Sequence, residues 1–211
     1  MIIVHHLNNS RSQRILWLLE ELGVAYEIRF YKRNEINRAP AELKAVHPLG
    51  KSPVVEDGDL HIAESGAAVD YLIRTYGGGR FHVAPGAPGY ERYNELMHYA
   101  EGSAMVPFLL KLFTSMLGEG GAPLQPVIDA EIDLHLGYIR DQLGDGPFFM
   151  GNDLTGADIM LTFVLEAADA RLGLDAWPKL AAYLDRVHAR EAYARGLEKG
   201  GPYELIRTRS A

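Results

Sequence analysis

The stretch HPLGKSPVVEDGDLHIAESGA, residues 47 to 67, predicts how the first part of the chain folds. Two short apolar runs, which begin at Pro53 and Leu60, lie on either side of the pair Asp57-Gly58. Short apolar runs joined by a tight turn are typical of a β-hairpin. The second run ends in an acid, a hydroxyl and a glycine, and a helix is predicted from about Ser65. The stretch therefore indicates a strand–turn–strand–helix unit.

The residues before this stretch alternate between strand and helix patterns. MIIVHHL at the start reads as a strand, and apolar residues then recur at helical spacing from Ile15 to Leu22, with Gly23 ending the helix. AYEIRFY alternates with a period of two and predicts a second strand, and a short helix is expected at about 40 to 45. The predicted order, βαβ, a short α, then ββα, is that of a small α/β domain.

The residues after this domain read as a linker followed by helices. GGGRFHVAPGAPG is rich in glycine and proline, which suits a connection between domains. A long helix is then expected at about 89 to 117, bent at Pro107, another at about 124 to 143, and further helices from Thr155 on. Thr155 and Asp158 have the spacing of a capping box, which gives Asp158 a role in folding. We predict an α/β domain at 1–78, a linker at 79–88 and an all-α domain at 89–211.

The composition excludes several kinds of site and partner. The formal net charge is −7, which disfavours nucleic acid as a partner. The chain has no cysteine, so it has neither disulfides nor a protein thiol nucleophile. No apolar run is long enough for a membrane span, and we expect a cytoplasmic protein that does not bind membranes. His5 and His6 would point to opposite faces of a strand, so no metal site is predicted.

Three segments together resemble the cytosolic glutathione transferases. They are NNSRSQRILWLLEELGVAYE after the first strand, the hairpin stretch quoted above, and LTGADIMLTFVL at 154 to 165. The resemblance implies a thioredoxin-like first domain, a helical second domain and a homodimer. It also implies that glutathione is a co-substrate transferred to hydrophobic electrophiles, or used to reduce hydroperoxides. No permanently bound cofactor is expected.

The resemblance assigns a glutathione site to the hairpin stretch. Ser52, before Pro53, would hold the cysteinyl residue of glutathione through its backbone N–H and C=O, as in strand addition. Ser65 is expected to be the N-cap of its helix, where the γ-glutamyl carboxylate would bind. Glu64 would pair with the γ-glutamyl amine, and Lys51 with the glycyl carboxylate or the cysteinyl backbone. Simple helix capping is the structural alternative for the acid–hydroxyl pair.

The segment HHLNNSRS is expected to activate the glutathione thiol. A hydrogen-bond donor aimed at the sulfur favours the thiolate. Most members of the family use an early tyrosine or a serine just before the first helix; His5 stands in the tyrosine position, which leaves Ser10 as first choice. Asn8 and Asn9 are rivals, since an amide N–H also donates, and Arg11 would add positive potential. Ser10 as a mere N-cap is the structural alternative.

The long helix is expected to supply the electrophile site. Tyr99, Met105 and Phe108 are flexible or aromatic side chains that suit a permissive apolar site, although core packing explains them equally well. Glu101 stands where family members often carry an acid that reaches across the dimer to the γ-glutamyl amine. A solvated surface charge is the alternative.

Two other classes of function remain open from the sequence. One is a family relative that binds glutathione or other ligands without useful turnover. The other is a protein-interaction module with the same fold, which the intact Ser52-Pro53 and Glu64-Ser65 pairs disfavour.

Overall fold

The computed structural model describes residues 1–36 and 38–207, and these form two compact units. The first contains Met1–His82 together with the C-terminal stretch from Asp185, and the second is Val83–Leu184. The sequence predicted one helical domain over 89–211, whereas the structure groups the stretch after Leu184 with the α/β part. The reason is the last helix, α9 (Glu191–Gly200), which packs along the first helix. Residues 208–211 of the predicted domain lie outside the described residues.

The first unit is built on a mixed sheet. Its strands, in chain order, are β1 (Ile2–Leu7), β2 (Tyr26–Tyr31), β3 (Val54–Asp57) and β4 (Leu60–Ala63). The order across the sheet is β2-β1-β3-β4, with β1 parallel to β2 and the other neighbours antiparallel. The predicted hairpin is confirmed, because β3 and β4 pair from Val54↔Ala63 to Asp57↔Leu60.

The helices of this unit follow the predicted order. They are α1 (Ser12–Leu22), the short α2 (Leu43–Val46), α3 (Ser65–Tyr76) and α9. Gly23 ends α1 as predicted: its φ of 70° lies in the left-handed region, and its N–H donates to the Leu19 carbonyl. The core of the unit lies between α1, α3 and the sheet, where Val4, Leu18 and Leu72 are fully buried.

Helix α9 lies close against α1 because glycine faces it. A Cβ built on Gly196 would lie 3.0 Å from the backbone nitrogen of Trp17. At the other side of the contact, Glu20 accepts hydrogen bonds from Lys199 and Arg195, and Glu21 from Arg190. These contacts join residues from opposite ends of the chain.

The second unit is helical. Its elements are α4 (Tyr90–Tyr99), a π-helical turn (Ala100–Ala104), α5 (Val106–Ser115), a 3₁₀ helix (Gly118–Leu124), α6 (Gln125–Leu143), α7 (Gly156–Leu172) and α8 (Pro178–His188), which crosses into the first unit after Leu184. The predicted long helix at 89–117 is therefore interrupted, and the interruption, the π turn at Ala100–Ala104, lies just before Pro107. Pro107 lies in the first turn of α5, where its missing N–H leaves no helical bond unmade.

The predicted capping box at Thr155 is confirmed. The Thr155 N–H donates to Asp158 Oδ2 at 2.8 Å, and the Thr155 side chain accepts from the N3 backbone. Asp158 is fully buried and also accepts from the Phe149 N–H and the Tyr183 hydroxyl. Burial raises the pKa of Asp158 to about 6, so the carboxylate is ionised at neutral pH. Asp158 thus joins three parts of the unit.

Across residues 1–36 and 38–207, none of the helices has the length and apolar character that crossing a membrane requires.

Candidate functional site

Three serine hydroxyls meet at the end of β1. Ser10 Oγ lies 2.7 Å from Ser12 Oγ and 3.4 Å from Ser52 Oγ. The cluster is anchored to the strand, because the Leu7 N–H donates to both Ser12 and Ser52, and Ser52 donates to the His5 carbonyl at 2.8 Å. The loop after β1 and the start of β3 are thus brought together, although 42 residues separate Ser10 from Ser52.

Ser10 is not the N-cap of α1. Arg11 occupies that position, and α1 begins at Ser12. Ser10 Oγ accepts from the Ser12 backbone N–H at 3.2 Å, so its oxygen takes up one of the N–H groups at the helix start. Ser10 and Arg11 are half-buried, which leaves Ser10 within reach of a ligand. Ser12 is completely buried and supports Ser10 from beneath.

His6 extends the cluster and was missed by the sequence reasoning. Its Nδ1 lies 2.9 Å from Ser12 Oγ, and its side chain is buried. Burial lowers the pKa of His6 to about 4, although a hydrogen bond with the Gly200 backbone opposes that change. The ring is therefore neutral at pH 7. The period-two alternation of β1 places His6 on the face opposite His5, but nothing local indicates that Ser12 lies there.

The two asparagines before Ser10 make structural contacts. Asn9 has a φ of 52°, and its side-chain amide donates to Glu204 Oε2 at 3.0 Å. Asn8 presents its backbone carbonyl to the Arg33 guanidinium. The Asn9 side-chain amide thus already donates one hydrogen bond to Glu204. This favours Ser10 over Asn9 as the hydrogen-bond donor to the glutathione sulfur.

The peptide bond between Ser52 and Pro53 is cis. Pro53 is buried, Ser52 is half-buried and Lys51 is exposed. Ser52 is thus held between the sheet and the surface, beside Ser10.

The start of α3 differs from the prediction in one respect. Ser65 was expected to be the N-cap, and this was wrong: Glu64 is the N-cap and Ser65 is the first helical residue. Ser65 is buried, and its hydroxyl accepts a hydrogen bond from the Arg14 guanidinium at 2.9 Å. A serine that accepts from arginine keeps its own proton to donate. Glu64 is exposed with a φ of 67°, a left-handed backbone that is rare for glutamate and often found at functional sites.

Arg14 is the second residue of the candidate site that sequence reasoning missed. It is only 2% exposed, and it brings a positive charge to the N-terminus of α3. The Arg14 charge and the partial positive charge of the helix N-terminus both favour binding of an anion at the start of α3. The only signal near it in the sequence is its place directly before the apolar run ILWLL, at 15 to 19, which is buried in the structure.

The residues predicted for the electrophile site lie in the second unit. Met105 and Phe108 are 2% and 1% exposed, which favours a core role. Tyr99 is half-buried, and its hydroxyl lies 2.6 Å from His135 Nδ1. Glu101 is half-buried in the π-helical turn. In the part of the chain that the structure describes, no three acidic or histidine side chains are grouped as metal ligands.

Comparison with known proteins gives the family. The model of the glutathione S-transferase N-terminal domain matches residues 1–74, and that of the C-terminal domain matches residues 98–186. Glutathione S-transferase 3 of Schizosaccharomyces pombe is 36% identical over 182 residues, which cover 80% of this chain and 74% of that protein. The chain belongs to the glutathione S-transferase family.

Two further relatives match this chain over nearly its whole length. Glutathione S-transferase 1 of Saccharomyces cerevisiae is 29% identical over 222 residues, with 94% of this chain and 95% of that protein covered. A crystal structure of a glutathione S-transferase from Actinobacillus pleuropneumoniae is 34% identical, with a TM-score of 0.87 over 99% of this chain and 97% of that one. The predicted fold class, a thioredoxin-like α/β domain and an all-α domain, is thereby confirmed. The serine cluster and the start of α3 both lie within the N-terminal match.

Proposed function

We propose that this transferase conjugates glutathione to hydrophobic electrophiles, with Ser10 stabilising the glutathione thiolate. The observation that carries the proposal is the position of the Ser10 hydroxyl, 3.4 Å from the hydroxyl of Ser52, the residue before the cis proline. A cysteinyl residue that pairs with the Ser52 backbone would have its sulfur beside Ser10.

Binding of the γ-glutamyl end is assigned to the start of α3. Its carboxylate would accept from the Ser65 hydroxyl and the first N–H groups of the helix, with the Arg14 charge beneath them. Its amine would pair with the exposed Glu64 carboxylate. Lys51, also exposed, is our candidate for the glycyl carboxylate.

Activation of the thiol is assigned to the serine cluster. Ser10 Oγ accepts from the Ser12 backbone N–H, and an oxygen that accepts one hydrogen bond becomes a better donor through its own proton. Donation to sulfur stabilises the thiolate over the thiol. The thiol proton passes to water, the sulfur forms a bond to the electrophilic carbon, and the leaving group departs with its electron pair.

Two wider proposals follow from family membership: the protein is cytoplasmic, and it forms a homodimer. In such a dimer, Glu101 would reach the γ-glutamyl amine of glutathione bound to the other copy. Its place in a π-helical turn supports a functional role, because such turns are frequent at functional sites.

Titration of bound glutathione by its ultraviolet thiolate absorbance tests the role of Ser10. In the parent we expect a bound thiol pKa well below the ordinary value of about 8.5. In Ser10→Ala we expect it to rise by about one unit, with conjugation of an activated aryl chloride about tenfold slower at a pH well below the pKa of the parent, because that rate follows the thiolate fraction. Ser115→Ala is the matched control, since that hydroxyl bonds only within α5, to the Leu112 carbonyl.

Each other outcome contradicts a defined part of the proposal. A lowered pKa in both proteins would move the donor from Ser10 to Asn8, Asn9 or the backbone. No thiolate signal at saturating glutathione would identify a glutathione-binding relative without thiol activation.

A further inference from the structure

The C-terminal segment after α9 returns to the loop that carries Ser10. Asn9 Nδ2 donates to Glu204 Oε2 at 3.0 Å, and the Glu204 backbone N–H donates to Asn9 Oδ1 at 2.8 Å. Both polar atoms of the asparagine amide therefore have a partner on one residue. The two residues are 195 positions apart in the sequence, and both belong to the first unit.

Arg33 holds the backbone of the same loop. Its guanidinium donates to the Asn8 and Asn9 carbonyls, each at 3.0 Å from Nη2. Burial and the nearby positive charge of Arg38 lower the pKa of Arg33, while the negative charge of Glu204 acts in the opposite direction. Arg33 contacts the backbone of Asn9, and Glu204 contacts its side chain.

The backbone conformation of Asn9 explains why the contacts with Glu204 and Arg33 matter. Its φ of 52° lies in the left-handed region, which asparagine tolerates but which is less favourable than the helical or extended regions. Ser10 follows directly, so the conformation of Asn9 determines the direction in which the Ser10 hydroxyl is presented.

A second connection runs from the end of α9 to the same hydroxyl. The Gly200 backbone bonds to His6, His6 Nδ1 contacts Ser12 Oγ, and Ser12 Oγ contacts Ser10 Oγ. The end of the chain thus reaches Ser10 from two sides, through Asn9 and through Ser12.

We propose that Glu204 is a positioning residue for thiol activation: its reciprocal hydrogen bonds with Asn9 hold the loop so that the Ser10 hydroxyl faces the sulfur. This inference rests on the proposed role of Ser10. Glu204 itself does not contact the reacting atoms.

Glu204→Ala tests the inference in the full-length protein. We expect the thiol pKa of bound glutathione to rise by about half a unit, which lowers the thiolate fraction and kcat about threefold at a pH well below the pKa of the parent. The KM for glutathione is expected to stay within about twofold, because Ser52, Glu64 and Ser65 are untouched. Glu191→Ala is the matched control: this glutamate begins α9 and, among the residues that the structure describes, pairs only with Arg195 on its own helix, at 3.7 Å.

Two further variants separate hydrogen bonding from charge and from loose packing. Glu204→Gln keeps an acceptor for the Asn9 amide and the backbone N–H, and it should titrate as the parent does. Asn9→Gly tolerates the left-handed backbone but lacks the amide, so it loses both hydrogen bonds, whereas Glu204→Ala keeps the one from the Glu204 backbone N–H. We expect Asn9→Gly to raise the thiol pKa at least as much as Glu204→Ala does, with no further shift when the two changes are combined.

The inference is overturned if Glu204→Ala lowers the melting temperature but leaves the bound thiol pKa and kcat unchanged. It is also overturned if Glu204→Gln is as impaired as Glu204→Ala. Failure of the proposed function looks different, since the parent itself would then show no lowered thiol pKa.

Discussion

At the scale of single residues, the buried His6 is expected to make the folded transferase less stable as the pH falls. Its pKa is about 4 in the folded protein, against 6.5 for the ordinary side chain. Above pH 6.5 the ring is neutral in both states and contributes nothing to the pH dependence. As the pH falls from 6.5 to 4, the unfolded chain takes up a proton that the buried ring resists, so stability is lost.

We expect this loss to reach about 3 kcal/mol at pH 4. Urea unfolding of the parent and of His6→Asn at several pH values measures it, because asparagine keeps an acceptor for Ser12 but does not titrate. The difference in unfolding free energy between the two proteins should change by that amount between pH 7 and pH 4. Parallel pH profiles would contradict the prediction.

The residue scale also separates what was predictable from what was not. Gly23 and the Thr155–Asp158 box were predicted, because a helix end depends on residues within one turn of it. Glu204 and Arg14 were not, because their partners Asn9 and Ser65 are remote in the sequence and come close only when the sheet and helices have formed. The role of Ser10 remains a prediction of the sequence that the serine cluster supports.

At the scale of elements, the contact between α1 and α9 depends on Gly196. A Cβ there would lie 3.0 Å and 3.1 Å from the backbone N and Cα of Trp17, atoms that cannot move without shifting α1. We expect Gly196→Ala to destabilise the protein by about 1–3 kcal/mol, as overpacking does. The midpoint of urea unfolding, followed by far-ultraviolet circular dichroism, measures the effect.

Gly137→Ala is the control for this substitution. Gly137 lies within α6, and its Cβ would meet only the Trp177 ring at an ordinary 3.8 Å. Alanine there should be neutral or stabilise the helix by about 0.5–1 kcal/mol. Equal effects at the two glycines would show that the close approach of α9 to α1 is unimportant. The sequence did not reveal this contact, because a glycine in a helix pattern does not identify the helix that lies against it.

The same scale explains the element that was predicted least well. The pattern from 89 to 117 reads as one helix with a bend at Pro107, because apolar residues recur through it; Gly102, which also disfavours a helix, lies inside it. The structure instead has a π-helical turn at Ala100–Ala104, which places an extra residue in the helix before the proline. A turn of five residues is too short to change the spacing of apolar residues visibly, so the sequence pattern did not predict it.

At the scale of the whole molecule, the first unit needs residues from both ends of the chain. Trp17 is 1% exposed and packs against Tyr193 of α9, with ring centroids 5.4 Å apart. We therefore expect the fragment 1–82 not to fold by itself. Its single tryptophan, one of two in the chain, should fluoresce as an exposed side chain does, and addition of a peptide with the sequence 185–211 should shift the emission to shorter wavelength. A native-like emission from the fragment alone would contradict this.

The arrangement of the two units has a consequence for synthesis on the ribosome. Domains fold as units while the chain emerges, and the N-terminal one usually does so first. Here the residues of the helical unit, Val83–Leu184, are all translated before α9, whereas the contacts of α1 with α9 can form only after α9 has been made. The helical unit can thus complete its internal contacts first, and the hydrogen bonds between Glu204 and the loop of Ser10 form only after Glu204 has been translated.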